Sequence, residues 1–222
     1  MRVSVCAPLF VLCVLSILSA GAAAAGPWPR EVGRFFMSTT STLPAAAGWL
    51  PQVTETYAEF GLRERVTIGG SFTLTTQLDE ANLFVRWHPP DLPAGLAWGV
   101  TAGMRYSPWR SVPWQTVAGV DVGRGFDTTA GNIWLRSGVR LIAGDGYWGR
   151  ELDTDLTGQI GWRGDRWLGM FGVSHYINRY GGYTRLRPAI GLRLGPVMLV
   201  AEGVVPPGER IEAVRVSVWS EF

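Results

Sequence analysis

The stretch Arg65-Val-Thr-Ile-Gly-Gly-Ser-Phe-Thr-Leu-Thr75 alternates apolar and polar residues along its length. Valine, isoleucine, phenylalanine and leucine fall on one set of alternate positions, while arginine, serine and threonine fall on the other. Successive side chains of a β-strand point to opposite faces, so this segment would present one apolar face and one polar face. The pattern therefore predicts a β-strand whose two sides meet different environments.

The same alternation recurs from about residue 33 to the C-terminus, in runs that are separated by turn residues. We identify twelve runs in the sequence, at 33–42, 53–62, 65–75, 81–88, 96–106, 114–123, 133–143, 153–162, 167–176, 183–194, 197–204 and 210–222. This pattern predicts an all-β fold, a transmembrane antiparallel up-and-down β-barrel of about 12 strands (10–12) with short loops.

A soluble β-sandwich would also alternate, with its polar face toward water. Aromatic residues near the ends of the apolar faces favour a membrane barrel instead, because transmembrane barrels carry aromatic girdles at both interfaces. These aromatic residues are Trp87, Trp98, Tyr106, Trp114 and Trp162. The polar faces are rich in glycine and threonine, which are small enough for a narrow lumen.

The first 25 residues have the pattern of a secretory signal peptide, with Arg2, an apolar stretch and small residues ending in Ala23-Ala-Ala25. We expect cleavage before Gly26, export through the periplasm, and a barrel domain that spans residues 26–222. Cys6 and Cys13 are the two cysteines of the chain. Both would be removed, so we expect neither disulfides nor thiolate metal sites in the mature protein.

All 20 basic residues are arginine, and they are balanced by 18 acidic residues. This near-neutral charge argues against nucleic acid as a partner. No metal-ligand cluster, nucleotide-binding loop or paired-carboxylate motif occurs at a diagnostic spacing, so we expect neither a metal nor another cofactor.

The last run places Val214, Val216, Val218 and Phe222 on one face and ends the chain on that phenylalanine. An amphipathic final strand with a terminal Phe resembles the assembly signal of bacterial outer-membrane proteins, although Ser220 stands where that family often has an aromatic residue. The resemblance implies an integral location in a Gram-negative outer membrane. It also implies contact with outer-membrane lipids and recognition of this strand by the barrel-assembly machinery.

A second resemblance is carried by residues 55–70, Glu-Thr-Tyr-Ala-Glu-Phe-Gly-Leu-Arg-Glu-Arg-Val-Thr-Ile-Gly-Gly. This segment is similar to a hairpin of outer-membrane proteins that are often labelled as transporters, including the phenol-degradation-pathway type. The resemblance implies a role in transport.

The polar faces predict which charged residues point into the lumen. The candidate lumen and selectivity residues are Glu55, Glu59, Arg105, Asp121, Arg136, Arg140, Asp153, Asp155, Arg185 and Arg187. Strand direction places six of them toward the outer mouth, namely Arg105, Arg140, Asp153, Asp155, Arg185 and Arg187. Such a cluster can form a binding vestibule or a selectivity constriction. Alternatively, the two signs only neutralise each other across strands.

Three functions remain open on the sequence alone. The first is a narrow passive channel or transporter for small solutes, and the second is a structural or assembly barrel without transport. The third is a lipid-modifying enzyme, by resemblance to lipid A deacylases and outer-membrane phospholipases, which use His with Ser. Here Ser174 adjoins His175 and therefore points to the opposite face. Thr154 is the remaining candidate partner across from His175, and neither residue has an evident orienting carboxylate, so the sequence predicts no catalytic residues.

Overall fold

The computed structural model describes residues 27–75, 78–90, 96–110, 112–146 and 149–222, so the predicted signal peptide lies outside the described residues. Across the described ranges, twelve antiparallel strands form one closed barrel in which each strand pairs with the next and β1 pairs with β12. In chain order the strands are β1 (Phe35–Pro44), β2 (Val53–Arg63), β3 (Val66–Leu74), β4 (Leu78–Trp87), β5 (Ala97–Tyr106), β6 (Trp114–Thr128), β7 (Gly131–Gly146), β8 (Gly149–Arg163), β9 (Trp167–Asn178), β10 (Gly181–Leu194), β11 (Val197–Val204) and β12 (Ala213–Glu221).

The predicted barrel architecture and strand number are confirmed, but β6, β7 and β8, with 15, 16 and 15 residues, are each about five residues longer than the sequence pattern indicates. β6 continues to Thr128, and β7 and β8 include glycines that we read as turn residues. The turn between β6 and β7 consists of residues 129–130, directly before Gly131, and the turn between β9 and β10 consists of residues 179–180, directly before Gly181. These two glycines have φ angles of 129° and 138°, in a region that glycine tolerates and other residues avoid.

The barrel closes where its two terminal strands meet. The Phe35 amide donates to the Phe222 carbonyl at 2.7 Å, and the Phe222 amide donates back at 2.9 Å. The two phenyl rings stack with their centroids 5.4 Å apart. We call this the terminal end of the barrel. The opposite end, which bears connections 45–52, 107–113 and 205–212, is the loop end.

The outward faces of the strands form an apolar belt. Leu83 is 72% exposed, Ile190 58% and Leu135 54%, and a water-soluble surface rarely carries so continuous an apolar patch. Aromatic residues mark both margins of the belt. Trp87 and Trp98 lie 6.4 Å apart near the terminal end, and Tyr106 and Trp114 lie 5.0 Å apart near the loop end. The outer surface thus has the layered composition that a bilayer requires.

The described part of the chain contains no helix that is long and apolar enough to cross a membrane. The helical structure that it does contain is one short 3-10 turn, Ala45–Ala47.

Candidate functional site: a charged lumen

The loop-side half of the lumen contains charged side chains that remain exposed although they point inward. We call this region the vestibule and define it by Glu55, Arg140, Asp155, Arg187, Glu202 and Arg215. The side chain of Arg140 is 51% exposed, that of Glu55 40% and that of Arg187 30%. An inward side chain can be exposed only to the interior of the barrel, so the vestibule is open to water.

Ion pairs between neighbouring strands organise the vestibule. Arg140 on β7 faces Asp155 on β8 in the register, and their side chains meet at 2.7 Å. Arg187 donates to Glu202 at 2.7 Å. Because the pairs alternate in sign around the wall, positive and negative groups neutralise one another locally.

A second set of pairs links the vestibule into one network. Arg215 on β12 reaches Glu202 at 3.0 Å and Glu55 on β2 at 2.8 Å. Glu55 also lies within electrostatic reach of Arg140 and Arg187 on the other side of the lumen. Four strands of the wall are therefore connected through one pair of carboxylates and two guanidinium groups.

Further pairs lie at the rim of the loop end. Arg110, from the connection between β5 and β6, donates to Asp153 at 2.7 Å and to Glu151 at 2.8 Å. The Tyr176 hydroxyl donates to the same Asp153 carboxylate at 2.6 Å. Arg105 pairs with Glu80 across β4 and β5, and Arg185 reaches Glu212 at 2.9 Å. The six residues that we placed toward the outer mouth thus lie in the vestibule or at its rim.

The terminal half of the lumen is packed instead of open. Leu168 and Val200 are each 2% exposed, and Met198 is 6% exposed. They pack against Trp134, Met170, Ala189 and Trp219, which are partly buried. This apolar cluster fills the side of the lumen formed by β7 to β12.

A buried cluster of charged side chains lies in the terminal half of the lumen, opposite the apolar cluster. The Glu59 carboxylate, 2% exposed, accepts from Arg86 at 2.8 Å and from Arg30 at 2.7 Å. The Tyr57 hydroxyl donates to it as well. Arg136 lies within the field of Asp121 and Glu59. The predicted lumen residues therefore separate into two groups, since Glu59, Asp121 and Arg136 lie below the vestibule.

Sequence reasoning missed the residues that precede β1. Residues 27–34 form no strand, and they enter the terminal end of the lumen. There Arg30, which is 5% exposed, bridges Glu59 on β2 and Glu221 on β12. We predicted short loops and assigned no role to the segment that follows the expected cleavage site. A Pro-Trp-Pro run at residues 27–29, just before the first alternating run, was the available signal.

His88 holds the beginning of this segment. Its Nδ1 donates to the Pro27 carbonyl at 2.8 Å, and the Thr67 hydroxyl donates to its Nε2 at 3.2 Å. Burial lowers the pKa of His88, although the hydrogen bond to Pro27 opposes that shift. The neutral ring, with one donor and one acceptor nitrogen, matches both contacts.

On the outer face, His175 donates to or accepts from Thr184 at a distance of 2.8 Å between Nδ1 and Oγ1. Our expectation that Thr154 lies across from His175 is wrong, because Thr154 faces Ile177 and His175 faces Leu156. Beside His175 runs a shallow, mostly apolar groove of about 460 Å³. Within the described residues no carboxylate contacts His175, so the third member of a catalytic triad is lacking there.

The described residues also contain no group of three or more His, Cys, Asp or Glu side chains that could hold a metal ion.

Comparison with known proteins gives similarity at the level of the fold. A NanC porin structure superimposes with a TM-score of 0.58 at 9% identity, covering 85% of this chain and 98% of that chain. The transport unit of the autotransporter AIDA-I from Escherichia coli gives a TM-score of 0.42 at 8% identity, covering 86% and 89%. No protein-family model and no curated protein matches the sequence. The protein thus has the fold of an outer-membrane β-barrel, similar to that of a twelve-stranded porin-like barrel.

Proposed function

We propose that this protein is a narrow outer-membrane channel that admits small polar solutes through the vestibule. The observation that carries the proposal is the water exposure of inward charged side chains, above all Arg140 at 51%. A barrel that served only as a structural element would be more stable with this volume filled, because buried apolar packing contributes more than exposed ion pairs do.

The proposed location follows from the surface of the barrel. The apolar belt and its two aromatic margins suit a bilayer, and a closed sheet leaves no unpaired edge in lipid. If the targeting segment directs export, both termini remain on the periplasmic side. The loop end and its vestibule then face outward, where solute arrives first.

The charge pattern suggests which solutes pass. Each arginine of the vestibule is paired with a carboxylate, as in Arg140–Asp155 and Arg187–Glu202. Paired charges create strong local fields with little net potential. Such a lumen favours small polar or zwitterionic solutes over ions of one sign, and it can offer both donors and acceptors to a sugar or an amino acid.

Recording from planar bilayers tests the proposal. We expect discrete conductance steps that change in Arg140→Ala and in Arg185→Ala. Arg150→Ala serves as the control, because this exposed arginine lies on β8 beside the rim. A correctly folded barrel that stays silent under all conditions, including after deletion of residues 27–32, would refute a channel and leave a structural or assembly role.

The same preparation separates the channel from a lipid-modifying enzyme. Purified barrel is incubated with phospholipid and lipid A vesicles, and free acyl chains are measured for wild type and His175→Ala. We expect no release by either protein. Release by wild type that disappears in His175→Ala would replace the channel with an enzyme centred on the His175–Thr184 pair.

A further inference from the structure

The segment before β1 occupies the lumen without belonging to the barrel wall. Residues 27–34 lie against β2, β3 and the turn after β4, and they take no part in the strand ladder. The backbone bonds of this segment to the wall, Gly33 N to Gly61 O at 2.8 Å and Gly61 N to Arg34 O at 3.0 Å, are at its end nearest β1. The barrel can therefore stay closed when the rest of the segment is displaced.

Two wall glycines provide the space in which the segment sits. A Cβ at Gly61 would come within 2.0 Å of the Glu31 carbonyl oxygen, and a Cβ at Gly123 within 2.6 Å of the Pro27 ring and 2.9 Å of Trp28. Any larger residue at either position would collide with the segment. The wall is thus shaped to receive these residues, which is not expected for a terminus that lies there by chance.

The segment is held by the fully buried Pro27, by hydrogen bonds from His88 to the Pro27 carbonyl and from the Arg30 amide to Thr67, and by the ion pairs of Arg30. Arg30 pairs with Glu59 at 2.7 Å and with Glu221 at 3.3 Å, and its guanidinium lies 4.5 Å from the centroid of the Phe36 ring. Its Nη2 atom is buried without a hydrogen-bond partner among the described residues. A buried donor that lacks a partner lowers the net stability of the bound position. When the segment leaves, Arg86 remains as the counter-charge of Glu59 and water can reach the vacated site, whereas the apolar packing on the opposite side of the lumen has no such replacement.

We propose that residues 27–34 form a releasable plug that closes the terminal end of the lumen on the side of β2 to β6. The apolar cluster packs the β7 to β12 side, so release of the plug, which withdraws Arg30 from the charged cluster, is the step that opens the other side of the lumen. Arg30 is the residue that fixes the closed position. This inference rests on the proposed channel for its role in transport, but the plug itself can be tested without any transport assay.

Thiol accessibility measures the position of the plug directly. The described residues include no cysteine, so Thr67→Cys introduces a single thiol at an inward position of β3 that is 1% exposed and lies against the Arg30 amide in the closed state. We expect a charged thiol reagent to label it slowly in the otherwise wild-type barrel. The rate should rise about tenfold or more when Arg30→Ala or deletion of residues 27–32 makes a minor open state dominant. Val32→Ser is the matched control, since Val32 belongs to the same segment but is 58% exposed.

A disulfide provides the opposite test. A Cβ at Gly123 would meet the Pro27 ring, and Pro27→Cys removes that ring, so Pro27→Cys with Gly123→Cys can form a disulfide. Oxidation should then hold the plug in place. This pair is judged by conductance alone, because a third cysteine would complicate labelling. We expect low conductance after oxidation and recovery after reduction. Gel electrophoresis checks that each variant is folded, because a folded barrel migrates differently in unheated samples than in heated ones.

The outcomes separate the plug from the channel. Equal labelling rates in wild type, Arg30→Ala and the deletion variant would overturn the plug, even if every barrel conducts. Faster labelling of both variants with no conductance in any of them would support the plug and refute the channel. Faster labelling together with conductance that oxidation suppresses would support both.

Discussion

Glu59 shows how one residue holds a buried cluster together. Its carboxylate is the counter-charge of two guanidinium groups, those of Arg30 and Arg86, in a part of the lumen with almost no exposed surface. Breaking a buried ion pair from one side costs about 3–5 kcal/mol, because the other charge is left uncompensated. We expect Glu59→Gln to destabilise the barrel by roughly that amount in urea unfolding from liposomes. Glu64→Gln, in the exposed turn after β2, is the control, and equal effects of the two would contradict the role of Glu59.

Val216 tests which face of β12 meets lipid. It is 37% exposed on the outward face, while its neighbour Ser217 is 7% exposed and lies 2.9 Å from Thr40 in the interior. An arginine on the lipid face near the bilayer midplane costs about 2–4 kcal/mol. We therefore expect Val216→Arg to reduce folding in liposomes by that amount and Val216→Leu to fold normally.

The inward neighbour supplies the contrast. Ser217→Thr keeps the hydroxyl and should fold like wild type, whereas an arginine at 217 would collide with Thr40 instead of entering open lumen. Unimpaired folding of Val216→Arg, measured by the heat-shifted band, would mean that the faces of β12 are assigned in the wrong order.

At the level of strands, the alternation of the sequence predicted the architecture because each strand meets lipid on one side and the lumen on the other. Period-two alternation is therefore strong along most of the chain. The predicted boundaries failed where glycine has two uses. In β6 to β8, glycine lies within a strand and makes room for neighbouring side chains, as Gly144 does for Gln115. The sequence alone does not distinguish a glycine that forms a turn from a glycine that lies within a strand beneath a neighbouring side chain.

The candidate site was predictable in part for a similar reason. The face of the sheet to which a side chain points follows from alternation, so the inward orientation of Arg140 and Asp155 could be predicted from the sequence. Which charges meet depends on register and on the stagger of the closed sheet, neither of which a single strand specifies. The contact of Arg30 with Glu59 and Glu221 joins residues up to 191 positions apart, and it arises from a segment with no alternation.

The last strand, β12, closes the barrel by pairing with β1. Phe222 makes two backbone hydrogen bonds and a ring contact with Phe35, so removing it opens the terminal end of the β1–β12 seam. We expect deletion of Phe222 to lower the yield of folded barrel in cells, measured as the heat-shifted fraction in the outer membrane. Phe222→Tyr preserves the ring and the backbone and should restore the yield.

Conductance distinguishes assembly from activity in the same variant. The vestibule lies at the opposite end from Phe222, so each barrel that does fold without it should show wild-type conductance. A normal yield with altered conductance would contradict the assignment of this residue to assembly.

For the whole molecule, the lumen combines an open charged half with a packed half that contains the segment 27–34. In the proposed channel, the first half would select solutes and the second would control whether they pass. The two halves differ in their contacts. The ion pairs of the vestibule are exposed and tolerate water, whereas the apolar packing of the terminal half excludes it. A uniformly polar lumen would offer selection without closure, and a uniformly packed one would offer closure alone.

Ion selectivity is the measurement that depends on the whole charge pattern. Because the vestibule pairs its charges, we expect a reversal potential close to zero for wild type in a salt gradient. Arg140→Ala leaves Asp155 without its partner at 2.7 Å and should shift selectivity toward cations, while Asp155→Ala should shift it toward anions by a similar amount. Arg150→Ala should leave the reversal potential unchanged. Shifts of the same sign in Arg140→Ala and Asp155→Ala would show that this pair does not line the conducting path.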